Sequence, residues 1–142
     1  MATYLVKTEP GDYSFADLVR DGRCVWSGVK NPAALIALRA MKRGDKVLVY
    51  HTGDVKAVVG EAKVVSAGAY EDPKQPGTNE KGEPKWAVVD LAPVAEWGKV
   101  VTLAAIKADT RLKELGLVRQ SRLSVMKVAE AEEKVLRGMG KS

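Results

Sequence analysis

The sequence predicts an α+β protein: a mostly antiparallel, curled sheet or small barrel with short helices around it. Strand-like and helix-like segments follow one another without regular alternation, which argues against a doubly wound parallel sheet. Lys46–Tyr50 and Val55–Val65 are β-type runs flanking the turn residues Thr52-Gly53-Asp54, the pattern of a hairpin. Helix-start signals stand at Ser14 and Asn31, and the helical patterns after them are short.

Taken in order, Thr3-Tyr-Leu-Val-Lys-Thr8 is β-branched and aromatic, so it predicts a strand that Pro10-Gly11 ends. Ser14-Phe-Ala-Asp17 has capping-box spacing, with Asp in place of Glu or Gln, and predicts a short helix over 14–20. Asn31-Pro32 predicts a second helix, with Asn as cap and Pro at the first position. Ala34, Leu35, Leu38 and Met41 give it one apolar face, and Arg43-Gly44-Asp45 closes it. In the second hairpin strand, Glu61 and Lys63 fall on one face and Val58, Gly60, Ala62 and Val64 on the other, with Gly60 marking a bend or a close approach. Residues 69–84 show no apolar period and predict a long loop, the type that often binds or covers a ligand. Trp86–Leu91 predicts a strand, Thr102–Ile106 a short helix and Arg122–Val125 a last strand. Glu130, Glu132 and Glu133 open a C-terminal helix and Arg137 sits near its end, as the helix dipole favours.

The chain has 142 residues, 46% apolar and 29% charged, the size and balance of one globular domain with its own core. No apolar run approaches the ~20 residues needed to cross a bilayer, and the first residues lack the pattern of a signal peptide. A cytoplasmic protein without a membrane partner is expected. The single cysteine, Cys24, excludes an intrachain disulfide and is expected to be a small buried apolar residue. Lys and Arg total 23 against 18 Asp and Glu, a net charge of +5. Two basic stretches, residues 30–46 and 107–127, would form one positive face if they met in space.

Organised chemistry is absent. There is no Walker loop, no Gly-x-Ser-x-Gly elbow and no dinucleotide fingerprint. One histidine and one cysteine exclude the common zinc sets. Neither a cofactor, a metal nor a catalytic group is therefore expected. What the chain does hold is a set of polar and aromatic residues at segment ends. They are Lys7, Thr8 and Glu9 after the first strand, Trp26 and Ser27 before the second helix, Tyr50-His51-Thr52, and Gln120-Ser-Arg-Leu-Ser124. An indole stacks on any base, hydroxyls and amides read a base edge, and Lys or Arg holds phosphate. Each residue also has a structural interpretation: Trp26 in the core, Asn31 as a helix cap, His51 as a hydrogen-bonded internal side chain.

These segments carry a resemblance. Leu5-Val-Lys-Thr-Glu-Pro10 with Tyr13-Ser14, Trp26-Ser-Gly-Val-Lys-Asn31, Met41-Lys-Arg-Gly-Asp45, Tyr50-His51, Pro84-Lys-Trp86 and Ser121-Arg-Leu-Ser124 resemble, in this order, the EVE domain family. The resemblance runs from residue 3 to about residue 137. It implies a PUA-like fold, a β-barrel with flanking helices, related to the YTH domains that read N6-methyladenine. It also implies binding of a modified base, such as a modified cytosine or methyladenine, in DNA or RNA. Trp26 would be the stacking wall, with Lys7, Thr8, Ser27, Val29, Asn31, Arg122 and Ser124 around the pocket and Tyr50 and His51 nearby. Thr8 departs from the Ser usual in the family, and the loop after Tyr70 lacks the family's tyrosine pair. Two alternatives stay open: a general RNA-binding PUA-like protein, and a nucleotide-modifying enzyme using Lys7, Glu9 or His51.

Overall fold

In the computed structural model, which describes residues 1–140, the chain forms one seven-stranded sheet with helices on it. Strand β1 (Thr3–Thr8) is followed by helix α1 (Phe15–Asp21), the short strand β2 (Cys24–Trp26) and helix α2 (Pro32–Ala40). Strands β3 (Lys46–His51) and β4 (Ala57–Val64) make the expected hairpin. Then come β5 (Tyr70–Glu71), the long β6 (Ala87–Thr102), α3 (Leu103–Ala108), a 3-10 turn (Thr110–Leu112), α4 (Gly116–Arg119), β7 (Val125–Val128) and α5 (Glu130–Gly140). The order across the sheet is β2-β6-β4-β3-β1-β7, with β5 on β6; only β1 and β3 pair in parallel.

Local signals act where expected. The Ser14 hydroxyl accepts from the Asp17 amide while the Asp17 carboxylate accepts from the Ser14 amide, which completes the capping box. Asn31 caps α2 by accepting from the amides of Ala33 and Ala34 at 2.8 and 3.1 Å. A Cβ at Gly60 would lie 2.8 Å from the Phe15 ring, the close approach that a glycine inside a strand signals.

Other segments differ from expectation. Helix α2 stops at Ala40, three residues before Arg43, because its amphipathic face ends at Leu38–Met41. The strand predicted at Trp86–Leu91 begins at Ala87 and runs on to Thr102, through Pro93 and Gly98. Its register against β4 shifts at Val58/Gly60 and Glu61/Ala62, and the second shift accommodates Pro93. Residues 122–124 are not a strand; the last strand starts at Val125, one turn later. The long loop holds β5, and Asn79 folds its tip by accepting from the amides of Lys81 and Glu83. Glu61 alternates with the apolar face as predicted, yet it is buried, because α5 packs on the neighbouring β6 and places Arg137 against it.

The sheet is therefore a curled half-barrel of the PUA-like kind. Its two edges, β2 and β7, do not pair with each other. Helix α2 packs against both β6 and β7 and covers part of the seam between the edges. Beyond the start of α2 the seam stays open. Among the described residues no helix is long and apolar enough to cross a membrane.

Candidate functional site

A cavity of about 610 Å³ fills the open part of the seam. Its walls come from both sheet edges and from the strand between them. Lys7 and Thr8 end β1, Cys24 to Trp26 form β2, and Ser124 stands just before β7. The segment Ser27–Lys30 closes one side, and Asp12, Tyr13, Asp21 and Arg23 close the other. Gly28 turns the Ser27–Lys30 segment with φ +81°, a left-handed conformation that suits glycine.

Trp26 joins core and cavity. It is only 8% exposed and packs in the hydrophobic core while lining the cavity. The Tyr13 ring meets it edge-on, with centroids 6.3 Å apart and planes at 80°. The two rings make an aromatic corner. The Tyr13 hydroxyl donates to Asp21 at 2.9 Å. Burial raises the Tyr13 phenol pKa first, and the hydrogen bond to Asp21 raises it further. Arg20 and then Tyr13 hold the Asp21 carboxyl below its usual range, so it is anionic at neutral pH. Asp12 adds a second exposed carboxylate.

The remaining groups are held by defined partners. Lys7 donates from Nζ to the Ser121 carbonyl at 2.8 Å, and burial lowers its pKa. The Thr8 hydroxyl donates to the Tyr13 carbonyl at 2.6 Å, which ties the end of β1 to the aromatic corner. Arg23 pairs with Asp90 at 2.6 Å, and the Tyr70 hydroxyl donates to the same carboxylate. Desolvation opposes ionisation of Asp90, but Tyr70 and Arg23 together keep its pKa low. Lys30 donates to Gln75 at 2.7 Å and lies 4.3 Å from the centre of the Trp86 ring, so the long loop is anchored beside the cavity.

Of the residues singled out in the sequence, Lys7, Thr8, Trp26, Ser27, Val29 and Ser124 come together on the cavity wall. Asn31, Tyr50, His51 and Arg122 do not line it. The Asn31 side-chain oxygen is engaged as the α2 cap. His51 is buried and accepts from the Phe15 amide at 3.0 Å through Nε2, satisfying an orphan donor at the start of α1. Burial lowers its pKa, against the opposing effect of Glu9. Tyr50 is buried next to Lys7 and lines a neighbouring hollow, and Arg122 is exposed in the turn before β7. Cys24 is half-buried on the wall rather than fully buried; burial raises its pKa, so it remains a thiol at neutral pH.

Asp12, Tyr13, Asp21, Arg23 and Lys30 on the wall were not expected there. Only Tyr13 and Lys30 carried a signal, each as part of a quoted motif. Lys7, Glu9 and His51 do not form an acid–base set: His51 is engaged by Phe15, while Glu9 accepts from the Gly11 amide. Among the described residues no group of His, Cys, Asp and Glu could hold a metal ion.

The EVE domain family matches residues 2–139. An NMR structure of a protein from Rhodopseudomonas palustris is 37% identical, with a TM-score of 0.87 over 99% of this chain and 93% of that one. The human THYN1 protein, described in complex with 5-methylcytosine-containing DNA, is 28% identical, with a TM-score of 0.86 over 100% of this chain and 99% of that one. Thymocyte nuclear protein 1 of Gallus gallus is 32% identical over 124 residues, 75% of this chain and 51% of that protein. The chain thus spans about half the length of that curated relative. With a match across nearly its whole described length, the chain belongs to the EVE domain family.

Proposed function

We propose that this protein binds nucleic acid by taking one modified base, a modified cytosine or methyladenine, into the seam cavity. The observation that carries this reading is the aromatic corner of Trp26 and Tyr13 facing open space, with the anionic Asp21 beside it. A base slid against the indole face gains about 1–3 kcal/mol of stacking. Carboxylates at the rim accept from an exocyclic amine, which cytosine and adenine carry and thymine lacks. Taking a base out of a duplex costs a few kcal/mol, which stacking and edge contacts offset. The human relative described with 5-methylcytosine-containing DNA supports this choice of ligand class. Either DNA or RNA can present such a base.

The test is a titration of matched DNA and RNA oligonucleotides carrying cytosine, 5-methylcytosine, 5-hydroxymethylcytosine, adenine, N6-methyladenine or thymine. One modified base is expected to bind tightest. Trp26→Ala should weaken that binding roughly 5- to 150-fold, the equivalent of one lost stack, while Trp26→Phe keeps part of it. Equal affinity of wild type and a folded Trp26→Ala variant would sink the pocket. Uniform affinity across bases with strong salt sensitivity would favour general RNA binding instead.

A further inference from the structure

The cavity does not end at Lys7. On the far side of that residue lies a hollow of about 180 Å³, and Lys7 lines both. A third hollow, of about 390 Å³, follows; it shares Lys56, Leu103 and Lys107 with the second. The shared lining residues set the three hollows in a row, a groove-like track that leads from the seam cavity across the end of β3 to the start of α3. Leu103, Leu117 and Val118 give the middle hollow apolar wall, and Lys7, Lys56 and Lys107 give it positive charge, with no acid in its lining. Among the described residues, Asp54 lines the far end of the extension, and the Glu9 carboxylate lies beside Gly53 at the middle hollow.

Among the described residues the lysines of this groove have no carboxylate partner. Elsewhere on the surface Arg20 pairs with Asp17 and Asp21, Arg111 with Asp109 and Arg119 with Glu114, whereas the exposed Lys63 and Lys99, like the groove lysines, form no ion pair among the described residues. Among the described residues neither Lys56 nor Lys107 forms an ion pair, although both are exposed. The groove is also held in shape. Lys56 has φ +47° in the β3–β4 turn, and its carbonyl accepts from the Leu103 amide at 2.8 Å, fastening that turn to α3.

We propose that this groove carries the sugar–phosphate backbone on one side of the bound base, with Lys56 and Lys107 each holding a phosphate. The proposal rests on the assignment of the seam cavity to a base. Lys7, at the joint, neutralises the backbone where the strand turns into the cavity. Three lysines leading away from a base-sized cavity complement a polyanion, and the apolar wall suits the sugar faces between phosphates.

The experiment measures affinity against salt for the best modified single-stranded oligonucleotide, in wild type and in the double variant Lys56→Gln/Lys107→Gln. Each lost phosphate contact removes about 0.7 from the slope of log K against log salt on a single strand. The double variant is expected to lower the slope by about 1.4 and to keep the ratio of modified to unmodified affinity. A control, Lys63→Gln/Lys99→Gln, removes two exposed lysines outside the groove and should leave the slope unchanged. A wild-type slope in the groove variant overturns the proposal and leaves the cavity assignment standing. A lowered slope without any modified-base preference in wild type keeps the groove and sinks the cavity assignment. No binding by wild type to any oligonucleotide overturns both.

Discussion

The parallel pair β1 and β3 carries polar residues at both ends, and the two ends are built on opposite principles. At the N-terminal ends, Thr3 and Lys46 meet Glu133 of α5. Glu133 accepts from the Thr3 hydroxyl at 2.8 Å, from Lys46 at 2.7 Å and from Arg137 at 2.7 Å, and Arg137 reaches on to Glu61 at 2.6 Å. Glu61 and Glu133 are buried and each has a cationic partner, although Nη2 of Arg137 has no hydrogen-bond partner among the described residues. At the C-terminal ends, Lys7 and Thr8 stand beside a cavity lined by the Trp26–Tyr13 corner and by the exposed Asp12 and Asp21. Buried charge is tolerated when every carboxylate has a partner. The closed, ion-paired end is structural for that reason, although a hollow of about 960 Å³ lies against Thr3, Lys46, Glu133 and Arg137, while at the other, open end the aromatic corner and Asp21 line the cavity proposed to take a base.

The largest effect should come from opening the closed end. Arg137→Ala leaves Glu61 without its ion-pair partner and removes one from Glu133. A loss of roughly 3–5 kcal/mol is expected in denaturant unfolding. Affinity of the remaining folded protein for a modified oligonucleotide should be unchanged, since the cluster lies at the other end of β1. A loss below 1 kcal/mol would show that this end is solvated and not closed.

Gly60 connects the two ends, because the Phe15 ring lies where its Cβ would be. Gly60→Ala pushes α1 off the sheet, and α1 carries Asp21 while its N-terminal approach carries Tyr13. A stability loss of about 1–3 kcal/mol is expected, together with weaker base binding. Reduced stability with unaltered affinity would mean that α1 is not what holds the aromatic corner.

The sequence was legible where structure is local. Ser14 with Asp17, and Asn31 before Pro32, declare helix starts through cap contacts two or three residues apart. The hairpin around Gly53 is equally local. β2 was not legible, because a three-residue strand has no period to detect. The second half of β6 was hidden by Pro93 and Gly98, which read as breakers until bulges against β4 accommodate them. Burial of Glu61 is decided by Arg137, 76 positions away. At the site, the resemblance brought together Lys7, Thr8, Trp26, Ser27, Val29 and Ser124, while Asp21 and Arg23 reach the wall only through the packing of α1 on the sheet. Asn31 and His51 belong to the same motifs, but backbone amides of helices α2 and α1 occupy them.

Asn31 therefore separates a cap from a ligand contact. Asn31→Ala should lower stability by about 1 kcal/mol, and Asn31→Asp should restore most of it, because the cap needs only an acceptor oxygen. Affinity for a modified base, corrected for the folded fraction, should not move with either variant. An affinity loss in Asn31→Asp at full stability would instead put the amide in the site.

The smallest effect is a pH dependence that distinguishes the two ends. His51 accepts a hydrogen bond as the neutral ring, and burial lowers its pKa from the ordinary 6.5. Between that value and its folded pKa, the unfolded chain binds the proton more readily, so stability falls as pH drops below about 6.5. Glu133 acts lower: desolvation opposes its charge, but Lys46, Arg137 and Thr3 hold its pKa at about 2 against an ordinary 4.5. Its contribution is intact above 4.5 and disappears as pH falls towards 2. Thermal melts from pH 7 to pH 3 should thus show a shallow decline that begins near 6.5 and steepens below 4.5. His51→Gln, which keeps an acceptor for the Phe15 amide, should abolish the first part and leave the second. If the decline near 6.5 persists in that variant, another group at the open end titrates there, and the neutral His51 ring is not what fixes the start of α1.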